Sequence, residues 1–382
     1  MTERLKVERL GTVEQLNALS DKWEALDADT FPRTPFSGPT WNLLWWKHFR
    51  ESRPLVRDRF FVHAVWDEAG QLRAIAPLMI TEQPSMGPLR TRRLQFWGSD
   101  ANVTEIRGVV CRPADEKAVV AALAAELRRA AKDWDFMKWG GLRDDSALSD
   151  ERRISKSREI TDFFLQPGTD WEAFKSSLPR NVKESLRKCY NAPKRDGHTL
   201  TFRVIERESE VPGAVEAFFR LHAARSKAEE TITHADVFYS DHVRAFLSEY
   251  ACAMASRGQT RIFQTLIADE VVATRVGFAL GDNLYLYFSG FSPDWGRYSV
   301  MTTTVAEALK YAMGAGFSTI NLSPGVDVSK TRWRPLEIVL RESTWVSPSW
   351  RGPATFRVFQ AIDGARKDPR FSRWLGVLRR RV

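Results

Sequence analysis

The sequence predicts a mixed α/β protein with largely antiparallel sheets, built as two similar halves. Two observations carry this. The order hairpin, further strand, helix, strand occurs twice along the chain, its helices opening near residues 115 and 299. Each half also holds two strand-like runs joined by a tight turn, which is the pattern of antiparallel pairing. A chain of 382 residues is long enough for two packed domains.

Residues 4–10 read as a first strand, and Leu16, Leu19, Trp23 and Leu26 follow at helical spacing. TPFSGPTWNLLWWKHFR reads as a proline-bearing turn and a second helix that buries Trp41, Leu44, Trp45 and Phe49. RFFVHAVWD and LRAIAPLMITE form a hairpin around Gly70, and LRTRRLQFWG and residues 106–110 are further strands. A helix over 115–131 and the strand DWDFMKW close the half. In the second half, strands are expected near Phe163 and at LTFRVIE, and helices over 181–194, 212–227 and 240–257. The hairpin TRIFQTLIADEVVATRVGFAL turns at Asp269 and Glu270 and leads into the strand NLYLYFSGF. A helix over 299–313, a strand at FSTINL and a last strand over 336–345 complete the set. The boundaries that follow are 1–165, 166–347 and a tail of 348–382.

Charge placement narrows the function classes. Residues 348–382 carry nine Lys or Arg against Asp363 and Asp368, so most of the net +9 sits in the tail. A nearly neutral body argues against a protein that spreads a basic face over DNA. Cys111, Cys189 and Cys252 lie far apart, without disulfide-framework or metal-ligand spacing, so no metal is expected and a reducing cytoplasm is. The start MTERLKVERL lacks an apolar signal core, and no apolar run approaches the length of a membrane span.

The segment from NLYLYFSGF through NLSPG holds the strongest chemical signal. Its strand ends at Phe291, a loop with Pro293, Gly296 and Arg297 follows, and a helix opens near Ser299 with Thr302, Thr303 and Thr304 but no carboxylate. Unpaired backbone N–H groups and the helix dipole make that opening a seat for phosphate. Arg297, Tyr298, Ser299, Val300 and Thr302 are the candidate seat residues. An ordinary serine cap and turn glycine would leave the same trace. The matching first-half helix opens with Pro113, Asp115 and Glu116, whose carboxylates would neutralise such a seat.

The same stretch, continued by Gly325, Asp327, Ser329, Lys330 and Trp333, together with TPFSGPTWNLLWWKHF near the start, resembles the GNAT-type acyltransferases of the CelD-like group, relatives of the FemAB peptidoglycan transferases. That resemblance implies two tandem GNAT-like domains, the first without cofactor, and transfer of an acetyl or longer acyl group from acyl-CoA to an amine. It further implies that Lys330 faces the reacting groups, and that Lys183, Arg187 and Trp333 border an anionic sugar or lipid-linked acceptor. A solvated helix face explains Arg180, Lys183, Arg187 and Lys194 equally well.

An amine attacks a thioester only when neutral, so a base must take its proton and a donor must hold the developing oxyanion. Backbone N–H groups of NLYLYFSGF supply that donor if the strand splays from its neighbour. Tyr285 and Tyr287 share one face of it, either as reacting-site phenols or as packed aromatics. Candidate bases are His222, Glu229, Glu230 and Asp327, the last in a glycine-bearing loop beyond a strand end. In PRFSRWLGVLRRRV, Phe371, Trp374, Leu375 and Leu378 form a stripe flanked by arginines, suited either to an anionic membrane surface or to the protein's own body. Arg366 and Arg370 match a spacing found in cyclic-dinucleotide sites. The expected function is a cytoplasmic, peripherally membrane-attached N-acyltransferase acting on an amino sugar of surface polysaccharide synthesis. An aminoacyl-tRNA-dependent transferase of FemAB type and a non-catalytic regulator on the same fold are the alternatives.

Overall fold

The computed structural model describes residues 4–84, 90–100, 102–143, 148, 155–228 and 235–367. The first half runs β1 (Lys6–Arg9), α1 (Val13–Asn17), α2 (Ser20–Ala28), α3 (Pro39–Phe49), β2 (Arg57–Phe60), β3 (His63–Trp66), β4 (Leu72–Ala76), β5 (Leu78–Pro84), β6 (Arg90–Phe96), β7 (Val110–Cys111), α4 (Glu116–Arg129) and β8 (Phe136–Leu142). The second runs β9 (Ser155–Leu165), α5 (Trp171–Ser177), α6 (Arg180–Arg195), β10 (Leu200–Ile205), α7 (Val211–Ser226), α8 (Asp241–Ala255), β11 (Thr260–Ile267), β12 (Glu270–Leu280), β13 (Asn283–Phe291), α9 (Val300–Gly314), β14 (Thr319–Pro324), α10 (Val328–Thr331), β15 (Leu336–Val346) and α11 (Arg351–Lys367).

Eleven strands join in one sheet, ordered β10-β11-β12-β13-β14-β9-β15-β8-β6-β5-β2, and β1, β3, β4 and β7 make a second. Pairing is antiparallel throughout the large sheet except at β13 with β14 and β6 with β8, one parallel pair in each half. The fold is therefore mixed α/β and largely antiparallel. Residue 165 does not mark a break in the sheet. β9, on its first-half side, sits between the second-half strands β14 and β15, and β15 pairs in turn with β8.

Three local expectations need correction. RFFVHAVWD and LRAIAPLMITE each divide into two strands, because Pro77 has no N–H to give a ladder and both strands change sheet beside it. The later hairpin turns at Ala268 and Asp269, both at positive φ as its two-residue turn demands, and Glu270 already begins β12. Of the strand expected at 106–110, only Val110 pairs, with Ile75.

The large sheet divides the second-half core. Along β13, Tyr285 and Tyr287 join the cluster containing α7, α8 and the α3 tryptophans, whereas Leu284 and Leu286 join α6 and α9. That alternation is the period-two consequence of the pleat. The start of the basic tail is a docked helix, α11, whose Phe356 and Phe359 rings lie 5.3 and 4.7 Å from Phe136.

Candidate active site

The strands β13 and β14 are paired only from Asn283 to Tyr285 against Thr319 to Asn321, although both continue further. Two local features divert them. The β12 register slips between Arg275 and Gly277, and Asn321 Oδ1 accepts from the Ser323 N–H at 2.7 Å, with Ser323 itself at φ 70. Arg275 Nη2 bridges the diverging backbones, donating to Leu286 O at 2.7 Å and Leu322 O at 3.4 Å. Lys330 Nζ donates to the carbonyls of Ser323 and Pro324 further out. NLYLYFSGF thus splays from β14 beyond Tyr285.

On the α6 and α9 face, the gap meets the start of α9. Ser299 is in the left-handed region at φ 54, its side chain makes no cap, and the first turn holds no acid. Arg332 reaches this end, donating to Thr302 Oγ1 at 3.1 Å and Ser185 Oγ at 3.0 Å, while its buried Nε lacks a hydrogen-bond partner. A guanidinium beside the positive end of a helix is repelled by it until an anion sits between them. Seat residues therefore divide. Ser299 and Thr302 flank this end; Arg297 lies over the Tyr298 ring at 4.6 Å and donates to its hydroxyl, which in turn donates to Asp196. Tyr298 and Val300 are buried, so packing accounts for both side chains. Sequence reading left Arg332 out of the seat, although it lies in the loop SPGVDVSKTRW.

On the opposite face the gap opens on a cleft of about 370 Å³ between the halves, lined among others by Glu105, Arg107, His222, Arg225, Phe288 and Pro324. His222 reaches it because α7 lies directly on β13 at Gly290, where a Cβ would come within 2.5 Å of the His222 backbone nitrogen. His222 Nδ1 is 3.0 Å from Ser289 O, which assigns the proton to Nδ1. Burial lowers its pKa, which favours the neutral ring, and Nε2 lies 3.9 Å from Asp236 Oδ1.

Beside the cleft lies a charged network. Tyr285 donates to Glu105 Oε2 at 2.8 Å, and Asn321 Nδ2 donates to Asp162 Oδ2 at 2.7 Å. Burial pushes the Glu105 carboxyl up and the Lys330 ammonium down, and each charge partly offsets the other's shift. Burial likewise raises Asp162 to about 6 and lowers Arg275 to about 10. Glu105, Asp162 and Arg275 were not foreseen. The available signal was a charge inside an apolar strand: VVATRVGFAL for Arg275 and ITDFFL for Asp162.

Two other expected site residues are corrected to core positions. Tyr287, 1% exposed, donates to Val103 O and packs on Phe36, Trp41 and Phe288. Trp333, also 1% exposed, belongs to the α6 and α9 core. Asp327 caps α10, accepting from the Ser329 N–H at 2.6 Å. On α6, Lys183 Nζ donates to Ser176 O and Arg187 is exposed. Glu229, Glu230 and the tail stripe of Phe371, Trp374, Leu375 and Leu378 lie outside the described residues, as does Arg370.

The corresponding gap of the first half is filled. β6 and β8 pair only at Arg93 and Leu94. Beyond them the backbone of Arg107 and Gly108 lies against Gly140 and Gly141, so close that a Cβ on Gly108 would be 2.8 Å from Gly140 O and one on Gly141 2.7 Å from Arg107 O. Arg107 Nη1 closes the arrangement on Gly98 O at 2.8 Å. Among the described residues no cluster of three or more His, Cys, Asp or Glu could hold a metal ion, and no helix is long and apolar enough to cross a membrane.

Residues 180–331 match the family model of the acetyltransferase (GNAT) domain, which spans α6 to α10 and so both strands of the gap. The second half therefore carries a transferase domain of that type. Among solved structures, FemX aligns over 91% of this chain and 98% of its own at 10% identity, with a TM-score of 0.56. A tandem GNAT protein from the clavulanic acid biosynthesis pathway aligns over 91% and 99% at 11% identity, with a TM-score of 0.47. The C-terminal domain of a putative lysylphosphatidylglycerol synthetase from Agrobacterium fabrum aligns over 90% and 96% at 13% identity, with a TM-score of 0.48. The FemX likeness is one of fold. No curated protein sequence matches the chain.

Proposed function

We propose that the chain is an N-acyltransferase that moves an acetyl or longer acyl group from acyl-CoA to an amine. The observation that carries this is the gap between β13 and β14, which meets an uncapped helix start on one face and a cleft on the other. The pyrophosphate of the donor would sit at Ser299, Thr302 and Arg332, whose unpartnered Nε suits an anion. Its thioester arm would lie along the gap, toward the unpaired part of β13. Arg275, already bonded to the Leu286 and Leu322 carbonyls there, supplies positive charge close to the oxyanion that forms on attack.

The acceptor would enter from the cleft, where Arg107 and Arg225 favour an anionic amine such as a phosphorylated or nucleotide-linked amino sugar. The CelD-like resemblance of the sequence supports a role in surface polysaccharide synthesis. The basic residues of 369–382 would hold the enzyme against an anionic membrane. Calorimetric titration with acetyl-CoA tests the donor. One-to-one binding is expected; absence of binding by the folded chain overturns the reading and leaves an aminoacyl-tRNA donor or a non-catalytic role.

A further inference from the structure

We propose that Glu105, carried by the first half, is the group that takes the proton from the acceptor amine. This deepens the acyl-transfer reading and rests on it. Lying against β8, the Arg107–Gly108 backbone is fixed by close backbone contact with Gly140 and Gly141 and by the Arg107 side-chain bond to Gly98 O, just past β6. Glu105 lies two residues earlier and is thereby held over the seam, at the edge of the cleft.

Its partner defines where the carboxyl points. Tyr285 is the last β13 residue paired with β14, so its ring stands at the narrow end of the second-half gap. The Tyr285 hydroxyl donates to Glu105 Oε2 at 2.8 Å, which leaves Oε1 for an incoming group. A donor arm running from α9 toward that narrow end would bring its thioester beside this carboxyl. The first half has then lost a donor gap and gained a strap that delivers a base to the other half's gap.

Other groups facing this place are less suited. Asp162 is wholly buried and bonded to Asn321. Lys330 donates to two carbonyls and serves as a cation. The Nε2 of His222 is buried, with Phe218, Phe238 and Phe288 packed around the ring. Arg275 and Arg225 carry positive charge and have no basic lone pair. The upward push that burial gives the Glu105 carboxyl makes it a better proton acceptor near neutral pH.

The ammonium gives one proton to the Glu105 carboxylate, and the freed nitrogen lone pair attacks the thioester carbon. The C–N bond forms, the C–S bond breaks, and the departing sulfur takes a second nitrogen proton to leave as thiol. Glu105 then releases its proton to water.

The test follows thiol release from acetyl-CoA by the full chain just below neutral pH, with two probe amines. Glucosamine is largely protonated there and needs a base, whereas hydroxylamine is largely neutral and does not. Glu105→Gln should cut turnover with glucosamine about 100-fold and with hydroxylamine less than about tenfold, the size of a general-base contribution. Glu105→Asp should regain part of the glucosamine rate. Acetyl-CoA affinity measured by calorimetry should stay within about twofold in both variants, which establishes that they fold. Equal loss with both amines, or no loss with either, overturns the role of Glu105. Failure of the wild-type chain to bind acetyl-CoA overturns the donor reading instead, and the two failures are thereby separate.

Discussion

The Tyr285 hydroxyl donates to the Glu105 carboxylate at 2.8 Å across 180 residues of sequence. One bond thus ties the narrow end of the second-half gap to a first-half segment that fills the other gap. The two halves share a continuous sheet with one parallel strand pair in each, yet one pair parts beside a cleft while the other has the Arg107–Gly108 backbone against it.

At the start of α9, Ser299→Asp puts a carboxylate where the donor phosphate is proposed to sit. Aspartate tolerates the left-handed backbone found there, so the fold should survive. Acetyl-CoA affinity should fall at least about tenfold, or about 1.4 kcal/mol, by calorimetry. Arg332→Ala should weaken it in the same direction. Unchanged affinity in both variants would remove the seat.

Gly141 and Gly168 have nearly the same φ, +74 and +72, but different surroundings. A Cβ on Gly168 meets nothing within 4 Å, whereas one on Gly141 meets the Arg107 carbonyl at 2.7 Å. Gly168→Ala should cost about 1 kcal/mol of conformational strain. Gly141→Ala should cost roughly 3 kcal/mol, because backbone cannot yield as a side chain would. Urea unfolding of the two variants measures the difference, and equal costs would mean that the strap is not tightly held.

Asp327 is an N-cap, and its charge and its capping oxygen can be separated. Asp327→Ala should lose about 1 kcal/mol through the missing bond to the Ser329 N–H. Asp327→Asn keeps the acceptor oxygen and should hold stability and thiol release near wild type. Turnover abolished in a stable Asp327→Asn protein would instead make the carboxylate a reacting group.

Asp162 is raised to about 6 by burial, so its folded-state pKa lies above its unfolded value. The protonated form is favoured on folding, and the stability it contributes is full below about pH 4 and lost as pH rises through about 6. The wild type should lose roughly 3 kcal/mol relative to Asp162→Asn across that window. Urea midpoints of both proteins at several pH values give the difference directly; a constant difference would refute the shift.

The tail contributes charge, and its described part, to Lys367, is a docked helix. Phe356 and Phe359 of α11 hold the helix to Phe136. A chain cut after Asp368 should therefore melt within a few degrees of the full one and keep acetyl-CoA binding, while losing salt-sensitive sedimentation with anionic vesicles. Sedimentation undiminished by the cut would put membrane attachment elsewhere.

Sequence alone determined what depends on neighbours along the chain. Hydrophobic periodicity gave α6, α7, α8 and α9 to within a residue or two at most ends, turn chemistry gave the hairpin of β11 and β12, and alternation put Tyr285 and Tyr287 on one face. The acid-free start of α9 was also legible, because capping and dipole effects act within one helical turn. Tertiary structure decided everything that depends on contacts between distant segments. It divided the first hairpin between two sheets at Pro77, laid Arg107 and Gly108 in the first-half gap, and turned Tyr287 and Trp333 into core. It also gathered Glu105, Asp162, Arg275 and Lys330 at one seam. Local pattern reports which face of an element is apolar; which element that face meets, and how far burial then shifts a charge, is fixed by packing.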